Sequence, residues 1–193
     1  MNKMFAFYLL IIFVISSANS QDWVNDWIAK CHSLNLKPDS MVTLLRQEFH
    51  KSIGTPAPTI SFHRIDDDKI DSLVSFLGKV VLVNFWTTHC SGCRYEMPAL
   101  SHLQDSLSEK GFQVIFLSSE PKDILVRYFT DHMISGMKGN FNRDQLKRPY
   151  QMYAVPSSFV VDRNGVVRET WIGPLEFDIL VKKILPYFAT DNK

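Results

Sequence analysis

Cys90-Ser91-Gly92-Cys93 is the segment of this chain whose residue types and spacing most directly suggest chemistry. Residues three apart on a helix are neighbours, with Cβ atoms about 5–6 Å apart, so two thiols so placed can bond or separate after small rotamer changes. An apolar run precedes the pair and helix-compatible sequence comes after it, which sets Cys90 at a helix N-terminus. Free N–H groups and the positive helix end favour a thiolate there, drawing the thiol below its usual pKa of about 8.5. Cys90 is therefore the candidate attacking sulfur, and Cys93, one turn inside the helix, the candidate resolving thiol. A zinc site would need four ligands, and the nearby His89 and His102 make no ligand pair at familiar spacing. A purely structural bridge would close almost no loop and would stabilise little.

Glu96 lies three positions after Cys93, so its carboxylate can share the face of the resolving thiol and accept its proton. The residues alone leave a second reading equally open, a solvated helix glutamate near Arg94. His89 beside Cys90 either raises thiolate content when protonated or is a polar loop residue. Cys31 makes the thiol count odd, and it reads as a small residue on an apolar helix face or as a thiol reactive toward a partner.

The supporting elements are read from periodicity. Val80 to Trp86 reads as a strong buried strand and Gln113 to Ser118 as another, with Thr59 to Phe62 a weaker strand. Phe159 to Asp162 and Val166 to Ile172 predict a hairpin around Arg163-Asn164-Gly165, where Asn and Gly tolerate positive φ. Helices are expected over Cys90 to Lys110, Pro121 to His132, roughly Asp144 to Tyr153, and Leu175 to Phe188. Met133 to Asn142, with Gly136 and Gly139, reads as a loop in the place of an apolar strand. The order is α/β, a central mixed sheet flanked by helices.

Ahead of this domain, Trp23, Trp27, Cys31 and Leu34 recur at helical spacing, and Pro38-Asp39-Ser40 opens a second helical run through Met41, Leu44, Leu45 and Phe49. Gly54-Thr55-Pro56-Ala57-Pro58 breaks that pattern. The first twenty residues read as a signal: Lys3, an apolar run from Met4 to Ile15, then Ala18-Asn19-Ser20 before Gln21. Twelve apolar residues at 1.5 Å each are short for a hydrocarbon layer of about 30 Å, so cleavage is favoured over a permanent anchor. The expected organisation is a signal peptide over 1–20, a helical extension over 21–54 and the main domain over 55–190. Twenty-one basic residues against twenty acidic ones offer no strong field for nucleic acid or an anionic membrane surface.

Three stretches together resemble the TlpA-like branch of the thioredoxin superfamily: Gly78-Lys79-Val80-Val81-Leu82-Val83-Asn84-Phe85-Trp86, the Cys90-x-x-Cys93-x-x-Glu96-x-Pro98 pattern, and Val155-Pro156-Ser157-Ser158-Phe159-Val160-Val161-Asp162 with Asn164-Gly165. The resemblance covers about Gly54 to Phe188. It implies a thioredoxin-like fold, to which the helical pattern of 21–54 adds an N-terminal helical extension, and an extracytoplasmic protein that exchanges disulfides; some members serve cytochrome c maturation. It also implies that Pro156 is cis and faces the cysteines, that Val155 and Pro156 lie where backbone pairs with a bound substrate, and that Pro98 kinks the helix. The chain departs from the pattern at Gly92, where proline is common, at His89, where tryptophan is usual, and at Asn84, where thioredoxins bury an aspartate. With Asn84 in that place, the acid-base role falls to Glu96.

These features converge on a thiol-disulfide oxidoreductase that uses Cys90, Cys93 and Glu96 to reduce disulfides of exported proteins, periplasmic or secreted, with a separate membrane-bound thiol donor. No metal or organic cofactor is required, no nucleic acid is involved, and no stable membrane span remains after signal cleavage. The alternatives are a disulfide-forming or isomerising enzyme and a thioredoxin-like binding module with vestigial cysteines. A peroxide-reducing reading would need a threonine- and proline-containing loop before the reactive cysteine, and that loop is absent.

Overall fold

The computed structural model describes residues 38–146, 150 and 154–188. Helix α1 spans Pro38–His50, and strands β1 (Ser61–Arg64) and β2 (Ile70–Ser72) come after it. Next are β3 (Val80–Phe85), α2 (Ser91–Leu107), β4 (Phe112–Ser118), α3 (Lys122–Asp131) and β5 (Met137–Phe141). The hairpin β6 (Ser157–Val161) and β7 (Val167–Ile172) leads into α4 (Phe177–Ile184). The seven strands form one mixed sheet in the order β2-β1-β5-β4-β3-β6-β7. β3, β4 and β5 run parallel, and the other pairings are antiparallel.

β3 is buried at every residue, which is why it reads as a run of apolar residues interrupted at Asn84 alone rather than as alternation. Its side chains still divide with period two. Val80 and Leu82 join Leu100, Leu103 and Leu107 of α2, Leu125 of α3 and Leu180 and Ile184 of α4 on one face. Val81, Val83 and Phe85 join Phe49 of α1, Phe76 and Phe159 on the other. Each such side chain, fully buried, contributes about 1.5–3 kcal/mol. Both layers grip β3, so its C-terminal end is a rigid platform for Trp86 and the loop that leads to Cys90.

α1 packs on this sheet: Phe49 meets Phe159 edge-on at 6.4 Å, and His50 Nδ1 pairs with Thr170 Oγ1 at 2.6 Å. The expected helix around Trp23 to Leu34, Cys31 and the signal lie outside the described residues. The expected hairpin is present, with the left-handed backbone at Gly165 (φ +78°).

Two expectations need correction. Met133 to Asn142 is not a loop, because its second half forms β5, paired to β4 on one side and β1 on the other. The strand lacks an apolar signature because its neighbours fill the space: a Cβ on Gly139 would lie 2.5 Å from the Phe62 ring and 2.8 Å from Leu117. The adjacent Lys138 and Asn140 are occupied by other partners. Lys138 sits over Phe129 at 5.5 Å, and Asn140 Nδ2 donates to the carbonyls of Ser118 and Glu120 at 3.2 and 2.6 Å. The helix expected from Asp144 is, in its described part, only a 3-10 turn over Arg143–Gln145, with Leu146 already extended at ψ 118°. Tyr150 anchors that region instead, its buried ring 5.6 Å from Phe159. β2 and the 3-10 turn Leu73–Phe76 carry no signal strong enough to be expected from the sequence.

Candidate active site

Cys90 caps α2, with extended backbone (φ −80°, ψ 108°) and its sulfur accepting the Cys93 N–H at 3.1 Å. The two cysteines are joined as a disulfide with Cα atoms 5.2 Å apart. Cys90 is 7% exposed and Cys93 1%, so an incoming sulfur meets Cys90 first. Beneath them Trp86, the residue after β3, is held by Tyr128 at 4.9 Å and Phe129 at 5.2 Å.

The loop between β3 and Cys90 is tied down by Glu120, at the carboxyl end of β4. Thr88 N–H donates to Glu120 Oε2 and Thr88 Oγ1–H to Oε1, both at 2.7 Å, while Ser118 Oγ donates to Oε2 at 3.1 Å. No motif or periodicity in the sequence singles out Glu120. A carboxylate just beyond the carboxyl end of a strand adjoining β3 was the signal that could have found it.

On the other side of the pair, the Val155–Pro156 bond is cis, as the resemblance implied. Pro156 is buried and Val155 half-buried. A Cβ placed on Gly92 would lie 3.5 Å from Pro156 and 3.4 Å from Pro174, so these two prolines flank the dipeptide between the cysteines. Gly173 N–H donates to the Pro156 carbonyl at 2.8 Å and links the two. The prolines therefore occupy space beside Gly92, the position where the resemblance led us to expect another proline.

Glu96 is 1% exposed, which removes the reading as a solvated helix residue. Its Oε1 accepts from Leu175 N–H at 3.0 Å and Trp171 Nε1–H at 3.3 Å, and its Oε2 from Asn84 Nδ2 at 3.1 Å. Burial pushes the carboxyl up to about 7, against the three donors, which favour the anion. A carboxyl with such a value is half ionised near neutrality and can take or return a proton at small cost. Asn84 thus occupies the expected aspartate position but supports Glu96 rather than ionising, donating also to Ser158 Oγ at 2.9 Å. α2 continues through Pro98 to Leu107. Among the described residues no group of three or more His, Cys, Asp or Glu side chains could share a metal ion.

A family model for the AhpC/TSA family matches residues 53–170. The chain belongs to the AhpC/TSA family. Within the thioredoxin superfamily it is a TlpA-like thiol-disulfide oxidoreductase. It is 34% identical over 140 residues to the thiol-disulfide oxidoreductase ResA of Bacillus thuringiensis, covering 69% of this chain and 79% of that one. Thioredoxin-like protein YneN of Bacillus subtilis is 30% identical over 135 residues, with the same coverage. Among solved structures, the thiol:disulfide interchange protein DsbE of Chlorobium tepidum superposes with a TM-score of 0.65 at 25% identity, over 71% of this chain and 98% of the other. The substrates of a thiol-disulfide oxidoreductase are proteins that carry disulfides.

Proposed function

We propose that the protein is a reductant of disulfides in exported proteins, with Cys90 as nucleophile, Cys93 as resolving thiol and Glu96 as proton acceptor. The observation that carries this reading is the unequal placement of the sulfurs, Cys90 at the mouth of the helix N-terminus and Cys93 beneath it. In the reduced enzyme the Cys90 thiolate attacks one sulfur of the client disulfide, and that bond breaks to release one client thiolate. Cys93 then gives its proton to Glu96, and its sulfur attacks Cys90 Sγ. The second client thiolate leaves, the Cys90–Cys93 bond forms, and the client has gained two electrons. A separate dithiol donor, membrane-bound in this reading, returns them.

Val155 and Pro156 are the proposed contact for the client backbone, supported by the position of Pro156 beside Gly92 and the packing of Val155 against the cluster that contains the cysteines. The export reading is supported by the apolar run before Gln21. Among the described residues no helix is long and apolar enough to cross a membrane. Cytochrome c maturation is one process such a reductant would serve.

The test is to express Cys93→Ser and Cys90→Ser and collect reducible adducts. Cys93→Ser should accumulate mixed disulfides with clients, and Cys90→Ser far fewer. Equal trapping by both would overturn the assignment of nucleophile and resolver. Alkylation of thiols in living cells checks direction: a reduced pair at steady state is expected, and an oxidised pair would make the enzyme a disulfide former.

A further inference from the structure

Glu96 has two oxygens in chemically different settings, and one side chain outside the cysteine motif makes them so. Both protein donors at Oε1, the Leu175 amide and the Trp171 indole, are N–H groups with no capacity to accept. A proton placed on Oε1 would face two other hydrogens. Oε2 receives one N–H of the Asn84 amide, whose nitrogen also serves Ser158 Oγ, and it retains a lone pair.

We propose that Trp171 is a positioning residue for disulfide exchange: its indole N–H keeps Oε1 an acceptor and turns Oε2 into the oxygen that receives and returns the Cys93 proton. The proposal rests on the reading of Glu96 as proton acceptor. Trp171 can hold this place because it lies in β7 opposite Ser158 of β6, one strand from Asn84 of β3, and its ring is buried under α4. Lys183 of α4 stands over that ring at 5.9 Å, with its charge taken up by Glu169 at 2.6 Å. Cys93 and the exposed Arg94 and Tyr95 are the titratable sequence neighbours of Glu96 on α2, and Glu176, to which Tyr95 donates at 2.8 Å, follows Leu175. The Leu175 donor is a backbone N–H and survives any substitution there except proline. Trp171 is therefore the donor at Oε1 that a mutation can remove.

Trp171→Phe deletes the N–H while keeping an aromatic ring, and Trp171→His keeps a ring N–H in smaller volume. Loss of a donor to the anion weakens ionisation of Glu96 by up to about tenfold, so the pH profile of Cys93 resolution should move alkaline by up to about one unit. Trp171→His should recover part of the shift. In the oxidised wild type, the indole ¹H–¹⁵N resonance of Trp171 should titrate with a midpoint near 7, and in Glu96→Gln it should not. If Glu96→Gln leaves the wild-type pH profile intact, the reading of Glu96 itself fails. If Glu96→Gln changes the profile but Trp171→Phe does not, and the indole resonance is flat with pH, only the role of Trp171 is overturned. Should Trp171→Phe fail to fold, the indole titration of the wild-type protein decides alone.

Discussion

Replacing Glu96 by glutamine should change how stability depends on pH, and the sign and size come from the site. Burial raises the carboxyl from an ordinary 4.5 to about 7 in the folded protein. A raised carboxyl means the folded state holds the proton more tightly than the unfolded chain, so the stability it contributes is complete below about pH 4.5 and is lost as pH rises through 7. At about 1.4 kcal/mol per unit, the loss is about 3 kcal/mol, an order-of-magnitude figure. Glutamine cannot titrate. Its carbonyl can accept from Trp171 and Leu175, and its NH₂ can be met by the Asn84 carbonyl if that amide turns over. The assay is urea unfolding of both oxidised proteins from pH 4.5 to 8.5, where no free Cys93 thiol confuses the titration. Stability of wild type relative to Glu96→Gln should fall by about 3 kcal/mol across that range. The carboxylates held low by partners, Asp67, Asp68 and Asp162, are common to both proteins and cancel in the difference. A difference that does not change with pH, or that grows in favour of wild type at high pH, would refute the argument.

Glu120→Ala should release the loop before Cys90, since it removes the acceptor of three hydrogen bonds; a stability loss of about 1–3 kcal/mol and slower attack on a model disulfide are expected, checked by urea unfolding and stopped-flow exchange. Unchanged values for both would show that Thr88 is held by other means. For export, intact-mass analysis of the protein recovered from its native cells should find Gln21 at the N-terminus, and Met1 retained on membrane-bound protein would make the first segment an anchor.

The chemistry and its frame were legible in the amino-acid sequence. The three-residue spacing of Cys90 and Cys93, the buried run of β3 before them and the helix after them are local signals, set by covalent spacing and by the 2.0 and 3.6 periods of strand and helix. Cis Pro156 came from family resemblance, since composition around a proline does not specify its isomer. The state of Glu96 was undetermined, because burial of a carboxylate depends on what covers it: Asn84 precedes it by twelve positions, and Trp171 and Leu175 come seventy-five and seventy-nine positions later. β5 was hidden for the same reason. Met137-Lys138-Gly139-Asn140-Phe141 is weakly apolar because the ring of Phe62 and the methyl groups of Leu117 supply the packing that Gly139 lacks. Glu120 likewise meets Thr88 only because β3 and β4 run parallel and end together. Local pattern decides which elements form and where a thiol is activated, while side chains brought together by sheet register decide which carboxyl is buried, how it is held and what proton it can carry.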